Sequence, residues 1–265
     1  MEPSDVLSRA AELPDAVVRY GAHDDALVDV HLPAPELGSS PPRRPLVVLL
    51  HGGFWRSRFD QTHTRPMAEA LVAAGFVVAT PEYRRVGGAG ALAGGWPTTF
   101  EDVTAAMTAL PGLLQGLGVE TATTTVVGHS AGGHLALLLA ATGQRLDRVV
   151  AIAPVCDLRA AAQERLSDGA VQDFLGGEPQ EVPQAYAAAD PMTRLTGRPG
   201  CELLVVHGSD DDVVPVEHSR GLAARHPEIR LVELPGADHY APIDPLSDAW
   251  PEVLAAVRGE QVAVP

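Results

Sequence analysis

The chain has 265 residues, of which 46% are hydrophobic and 20% are charged, so it can bury a substantial core and is not compositionally disordered. Thirty-four acidic residues against nineteen basic ones give a net charge of −15, which disfavours binding to nucleic acid or to an anionic membrane. All nineteen basic residues are arginine. The lack of lysine excludes Schiff-base chemistry and a phosphate-binding P-loop.

No apolar run reaches the roughly 20 residues that a membrane-spanning helix needs, and the N-terminus lacks the pattern of a signal peptide. We therefore expect one cytoplasmic α/β domain over residues 1–265, with no cofactor and with a homodimer as an open possibility. The two cysteines, Cys156 and Cys201, lack the spacing of a zinc site. We interpret them as small apolar core residues, with a disulfide or a nucleophilic thiol as alternatives.

The predicted elements alternate between short apolar strands and longer helical stretches, which is typical of a mostly parallel sheet covered by helices. Two short segments around a turn, at 16–20 and 26–32, predict an antiparallel hairpin at the sheet edge. The central strands are predicted at 46–50, 76–80, 124–128, 148–153, 203–207 and 229–234. The helices are predicted at 66–74, 98–117, 131–142, 215–225 and 246–258.

Three stretches do not fit this alternation. Residues 33–45 are a Pro/Ser connection, residues 87–95 form a glycine-rich loop, and residues 157–200 are a long polar insertion. Because long loops in compact domains commonly carry function, we interpret the insertion as a partial cap over the site.

The most informative motif is Gly-His-Ser-Ala-Gly at residues 128–132, between a predicted strand and a predicted helix. A serine at such a sharp turn is held in a strained backbone, and the flanking glycines let the chain pass closely. Ser130 is therefore the predicted nucleophile. The N–H of Ala131, at the start of the helix, is a predicted donor to an oxyanion.

A serine nucleophile needs a base that a carboxylate orients. The order Ser130, Asp211, His239 is the chain order of α/β-hydrolases, and each residue follows a predicted strand. Three consecutive aspartates leave Asp210 and Asp212 as alternatives to Asp211. His218 and His226 compete with His239, but both lie on or at the end of a predicted helix.

The second oxyanion donor is predicted in the sequence His-Gly-Gly-Phe-Trp at residues 51–55, directly after a strand. Its paired glycines expose backbone N–H groups, so Gly53 or Phe54 should supply the donor. The alternative is that the motif is only a tight loop, with His51 bracing it.

The motifs HGGFW, GHSAGGH, HGSDDDVVP and GADHY, at residues 51–55, 128–134, 207–215 and 236–240, resemble those of the α/β-hydrolase superfamily. The resemblance is to its arylformamidase (kynurenine formamidase) and related carboxylesterase branch. It implies an α/β-hydrolase fold with about eight mostly parallel strands. It also implies a serine hydrolase that cleaves small, aryl-containing esters or formamides through an acyl-enzyme on Ser130, Asp211 and His239.

Aromatic residues are rare here, at 5% of the chain, and several flank the predicted catalytic loops. Trp55, Tyr83 and Tyr240 are the predicted substrate-binding residues, with core packing as the alternative for Tyr83 and for Trp96. Buried hydrogen bonding is the expectation for His134, and ion pairing for Arg84 and Arg85. A peptidase resembling prolyl oligopeptidase and a noncatalytic ligand-binding protein are the competing functions.

Overall fold

The computed structural model describes residues 3–34, 43–196 and 200–261. Eight strands form one sheet in the spatial order β1-β2-β4-β3-β5-β6-β7-β8. They are β1 Ala16–Arg19, β2 Leu27–His31, β3 Arg44–Leu50, β4 Val77–Pro81, β5 Thr121–His129, β6 Arg148–Ile152, β7 Glu202–Gly208 and β8 Arg230–Leu234. The predicted mostly parallel sheet of an α/β-hydrolase fold is confirmed.

The edge hairpin is where the sheet departs from parallel pairing. β1 and β2 are antiparallel, and β2 and β4 are also antiparallel. The remaining neighbouring strands, in the spatial order β4-β3-β5-β6-β7-β8, are all parallel. The carboxyl ends of β3 and β5 through β8 therefore meet at one edge, which is where open α/β sheets hold their sites.

Nine helices surround the sheet in the described part of the chain. They are α1 Arg65–Ala73, α2 Thr98–Gly116, α3 Ala131–Ala140, α4 Leu158–Gln163, α5 Leu166–Leu175, α6 Pro183–Ala189, α7 Pro191–Arg194, α8 Val216–Arg225 and α9 Trp250–Arg258. The predicted helices correspond to α1, α2, α3, α8 and α9, but α9 begins four residues later than expected. A short 3-10 turn at Ala241–Ile243 and a loop precede it.

Two cores lie on opposite faces of the sheet because successive strand side chains point to opposite sides. Val48 and Leu50 of β3 pack with helices α2 and α3. Val47 and Leu49 of the same strand pack with helices α1 and α9. Burial of the strands on both faces explains their nearly continuous apolar sequences.

The insertion at 157–200 is largely helical, which its polar composition did not predict. It contains α4, α5, α6 and α7, and residues 197–199 lie outside the described part. These helices are short, and α5 is interrupted by left-handed residues. The predicted connection at 33–45 also falls mainly on residues outside the described part, because 35–42 are not described.

Both cysteines are free thiols in the structure. Cys156 is fully buried among apolar side chains, and burial raises the pKa of its thiol. This environment suits an unreactive core residue. Within the described residues, no helix is both long and apolar enough to cross a bilayer.

A buried carboxyl at the junction of α6 and α7 gives stability a dependence on pH. Asp190 is 1% exposed, and burial raises its pKa to about 6 despite a hydrogen bond from the N–H of Met192. The folded-state pKa lies above the unfolded-state value. The contribution of Asp190 to stability is therefore fully present below the unfolded-state pKa, and it is lost as the pH rises through the folded-state pKa.

We therefore expect the unfolding free energy of the native chain to fall by about 2 kcal/mol relative to Asp190→Asn between about pH 4 and about pH 7. Urea denaturation of both proteins across this range measures the difference. Asparagine keeps the acceptor for Met192 but does not titrate, so equal pH dependence of the two proteins would contradict the expectation.

Candidate active site

Ser130 stands at the turn between β5 and α3 with φ 56° and ψ −116°. A Cβ on Gly128 would lie 2.1 Å from the carbonyl oxygen of Gly132, and one on Gly132 would lie 2.1 Å from that of Leu50. Only glycine therefore fits at either position of the Gly-x-Ser-x-Gly motif. The turn holds Ser130 in a backbone region that non-glycine residues rarely adopt.

His239 and Asp211 are joined at the carboxyl edge of the sheet. His239 follows β8, and its Nδ1 lies 2.6 Å from Oδ2 of Asp211, which follows β7. Because an ionised carboxylate only accepts, Nδ1 carries the proton and Nε2 is left as the basic nitrogen. Asp210 is exposed and accepts a hydrogen bond from Ser209, while Asp212 is exposed at the cavity.

Asp211 is fixed by four hydrogen-bond donors. Its Oδ1 accepts from the N–H groups of Val213 at 2.9 Å and Val214 at 2.8 Å, and its Oδ2 accepts from His239 and from Nε2 of His207 at 3.1 Å. Burial alone would raise the pKa of Asp211, but the hydrogen bonds from His207 and His239 lower it below its usual range. The carboxylate therefore stays ionised when it orients the imidazole.

Two histidines that the sequence motifs contain, but that we did not predict as functional, support this pair. His207 also accepts a hydrogen bond from Ser219 on its Nδ1 at 2.7 Å, which fixes the ring that contacts Asp211. Nε2 of His129 lies 3.0 Å from the backbone carbonyl oxygen of His239. Burial lowers the pKa of His129 well below its usual value, so a neutral ring holds the His239 backbone in place.

The loop after β3, which is the predicted oxyanion loop, has left-handed backbone at three consecutive residues. Gly53, Phe54 and Trp55 have φ values of 103°, 50° and 54°. Gly53 and Phe54 line the same cavity as Ser130. Within the described part of the chain, the N–H groups of Gly53, Phe54 and Ala131 donate to no protein acceptor. These are the three predicted oxyanion donors, and they are free to bind a ligand oxygen.

A buried cluster of charged and polar side chains supports the start of this loop. Nε2 of His51 lies 2.9 Å from Oε1 of Glu82, and Arg85 contacts the other oxygen of Glu82 at 2.6 Å. The hydroxyl of Tyr83 donates to the carbonyl of His51 at 2.7 Å. His51 therefore braces the loop, which is the role that the sequence analysis gave it as an alternative. Glu82 supports His51, and we did not predict this role from the sequence.

Ser130 and His239 line a cavity of about 480 Å³ at the carboxyl edge of the sheet. Its wall combines aromatic and aliphatic side chains with a few charged groups. The lining residues are Leu7, Gly53, Phe54, Arg58, Phe59, His63, His129, Ser130, Glu164, Arg165, Leu166, Ser167, Asp168, Asp212, Val213, His239 and Tyr240.

Of the three predicted substrate-binding aromatics, only Tyr240 lines this cavity. Trp55 is fully buried and stacks on Phe174 with ring centroids 4.3 Å apart. Tyr83 is also fully buried and stacks on His51 at 4.2 Å. The structure thus corrects the prediction for Trp55 and Tyr83, because both rings support the loops from the core and present no surface to a ligand.

The remaining histidine candidates are engaged elsewhere. His218 on α8 contacts Glu164 at 2.9 Å, and His226 lies 3.3 Å from the carbonyl of Met192. His134 is buried on α3 and bonds to the carbonyl of Ala189 at 2.9 Å, and burial lowers its pKa to about 4. Among the described histidines, His239 is the one that both contacts Asp211 and lines the same cavity as Ser130.

The two predicted arginines form ion pairs. Arg84 makes a two-pronged contact with Asp102, and Arg85 contacts Asp25 at 3.0 Å as well as Glu82. Neither arginine lines the cavity. Trp96 packs on Phe100 and Phe174. Core packing was the alternative to substrate binding that we gave for this residue.

A serine at a strained strand-to-helix turn, placed at the carboxyl edge of a parallel sheet, defines the class of an α/β-hydrolase. The comparisons with known proteins agree with this class. The model of the BD-FAE family matches residues 28–225, so the chain belongs to the BD-FAE family. The predicted membership of the α/β-hydrolase superfamily is confirmed at the level of family and fold.

Among curated proteins, esterase LipC of Mycobacterium tuberculosis is 28% identical over 221 residues, which cover 74% of this chain and 52% of LipC. The chain thus spans about half the length of this relative. A second relative, the non-reducing polyketide synthase prhL of Penicillium brasilianum, is 34% identical over 140 residues, which are 50% of this chain and 6% of the synthase.

Among solved structures, a truncated carbohydrate esterase from gut microbiota matches with a TM-score of 0.76 at 18% identity, covering 94% of this chain and 99% of that one. At this identity, the likeness shows the shared fold and carries no information on substrate.

Proposed function

We propose that the chain is a serine esterase that hydrolyses small, aryl-containing carboxylic esters, or formamides, through an acyl-enzyme on Ser130. One observation carries the proposal. His239, oriented by an ionised Asp211, shares a cavity with Ser130 and with backbone N–H groups that donate to no acceptor among the described residues. This arrangement supplies a nucleophile, a base and an oxyanion site together.

In the proposed reaction, Oγ of Ser130 attacks the substrate carbonyl carbon while Nε2 of His239 takes the hydroxyl proton. The carbonyl oxygen becomes an oxyanion, which the N–H of Ala131 and that of Gly53 or Phe54 stabilise, each by about 3 kcal/mol. The imidazolium then gives its proton to the leaving group as the tetrahedral intermediate collapses. Asp211 stabilises the imidazolium throughout.

Deacylation repeats these steps with water in place of the serine hydroxyl. His239 takes a proton from the water, which attacks the acyl carbon, and Ser130 leaves with that proton. The same groups serve both halves of the reaction, so no further catalytic residue is needed.

The cavity supports a small substrate with an aryl group. Its volume of about 480 Å³ lies in the range of small-molecule sites. Phe54, Phe59 and Tyr240 line it and offer ring surfaces for stacking. The name of esterase LipC favours an ester over a formamide.

Comparison of kcat/KM for phenyl acetate, phenyl butyrate and N-formylkynurenine tests this choice, because specificity is a ratio of these values. We expect the phenyl esters to be the better substrates. A higher value for N-formylkynurenine would identify a formamidase instead. A higher value for an aminoacyl-proline arylamide than for all three would identify a peptidase and overturn the proposal.

A further inference from the structure

One side of the cavity is formed by five consecutive residues, 164–168, which we call the wall segment. Three of them, Arg165, Ser167 and Asp168, have φ values of 54°, 49° and 57°, and Gly169 follows at 82°. Non-glycine residues rarely adopt such angles. Contacts with the surrounding structure must therefore hold this segment in its conformation.

Three side-chain contacts hold the wall segment, of which one is the ion pair of Arg165 with Glu178 at 3.8 Å. A guanidinium nitrogen of Arg56 donates to the carbonyl of Ser167 at 2.6 Å and also contacts Asp173 at 3.3 Å. Near the other end, Oε2 of Glu164 lies 2.9 Å from Nε2 of His218 on helix α8.

Arg56 is also joined to the predicted oxyanion loop. It follows Trp55 directly, and its backbone N–H donates to the carbonyl of Gly53 at 3.0 Å. The flanking backbone is tied to residue 86 through hydrogen bonds between Ser57 and Val86 and between Val86 and Trp55, both 2.8 Å long. One residue therefore links the loop on one side of Ser130 to the wall segment of its cavity.

We infer that Arg56 is a positioning residue that fixes the wall segment relative to the oxyanion loop and thereby limits the length of substrate that the cavity accepts. This inference rests on the proposed esterase function. The Arg56 side chain does not line the cavity, so its effect on selectivity must pass through the wall segment. Release of the segment should admit longer substrates and leave the reacting groups in place.

The test measures kcat and KM for p-nitrophenyl esters from acetate to octanoate, and for acetates of alcohols of increasing length. The variants are Arg56→Ala, Arg56→Lys and Glu164→Ala. The matched control is Arg148→Ala. Arg148 also contacts one carboxylate, Glu202 at 2.8 Å, and one backbone carbonyl, that of Val257 at 3.1 Å, with a side-chain exposure of 19% against 21% for Arg56.

For Arg56→Ala, we expect kcat/KM for the longest member of one series to rise about tenfold relative to the shortest, chiefly through a lower KM. The series that responds shows whether the acyl or the alcohol portion lies against the wall segment. Glu164→Ala should shift the same series, Arg56→Lys should restore part of the native profile, and Arg148→Ala should keep it.

A uniform change of kcat/KM across both series in Arg56→Ala and Glu164→Ala would overturn the inference, because it would indicate a general structural effect. Failure of the proposed function gives a different result, since the native chain would then hydrolyse none of the esters. If Arg56→Ala does not fold, Arg56→Lys still decides between a length-dependent and a uniform change.

Discussion

Replacement of Ser130 by alanine should lower kcat/KM for a short-acyl aryl ester such as phenyl acetate by at least about 10⁴-fold. The reason is that Ser130 supplies the attacking oxygen in the proposed reaction, so its loss would remove the covalent step itself. Steady-state hydrolysis with purified protein measures the change. The fold should persist, because alanine keeps the Cβ at this strained turn.

Ser209→Ala is the matched control for this experiment. Ser209 follows β7 at the same edge of the sheet, and its hydroxyl bonds to Asp210 and to the N–H of Gly236. This variant should retain hydrolysis within about threefold of the native value. Undiminished turnover by a clean preparation of Ser130→Ala would refute the assignment of the nucleophile.

Replacement of Asp211 by asparagine should lower kcat by about 10⁴-fold with a much smaller change in KM. The carboxylate accepts the Nδ1 proton of His239 at 2.6 Å, whereas an amide nitrogen there would favour the tautomer that leaves Nε2 protonated. The base would then be blocked while the cavity kept its shape. Measurement of kcat and KM separately distinguishes this loss from a loss of substrate binding.

The neighbouring aspartates provide the controls, and they also address the ambiguity of three consecutive acids. Asp210→Asn should stay close to the native rate, because Asp210 is exposed and bonds to Ser209. Asp212→Asn alters a charge at the cavity and should change kcat by less than about tenfold. A larger loss in either variant than in Asp211→Asn would show that another aspartate orients the base.

The central strands, the edge hairpin and the nucleophile turn were predictable because each has a local sequence signal. A buried parallel strand is nearly continuously apolar, as in β3, and the glycines beside Ser130 reflect close backbone approaches that admit no Cβ. The bracing by Glu82 was not predictable, because it depends on a distant contact with His51. The hydrophobic pattern of a single segment carries no information about such a contact between distant residues.

The helices of the insertion were not predicted, and the prediction for two aromatics was wrong, for a related reason. The helices α4 through α7 have at most ten residues each, which is too short for a clear helical period. Trp55 and Tyr83 flank catalytic loops in sequence, but a loop residue can point either into a cavity or into the core. Only the packing of Trp55 on Phe174 and of Tyr83 on His51 decides between these directions.

Covalent labelling by a fluorophosphonate tests the whole account most directly, because the probe reacts with a serine only when a base and an oxyanion site act on it together. We predict one adduct per native chain, located by peptide mass spectrometry on Ser130, and none on Ser130→Ala. A folded native protein that remains unmodified, or that carries its adduct on another residue, would contradict the account.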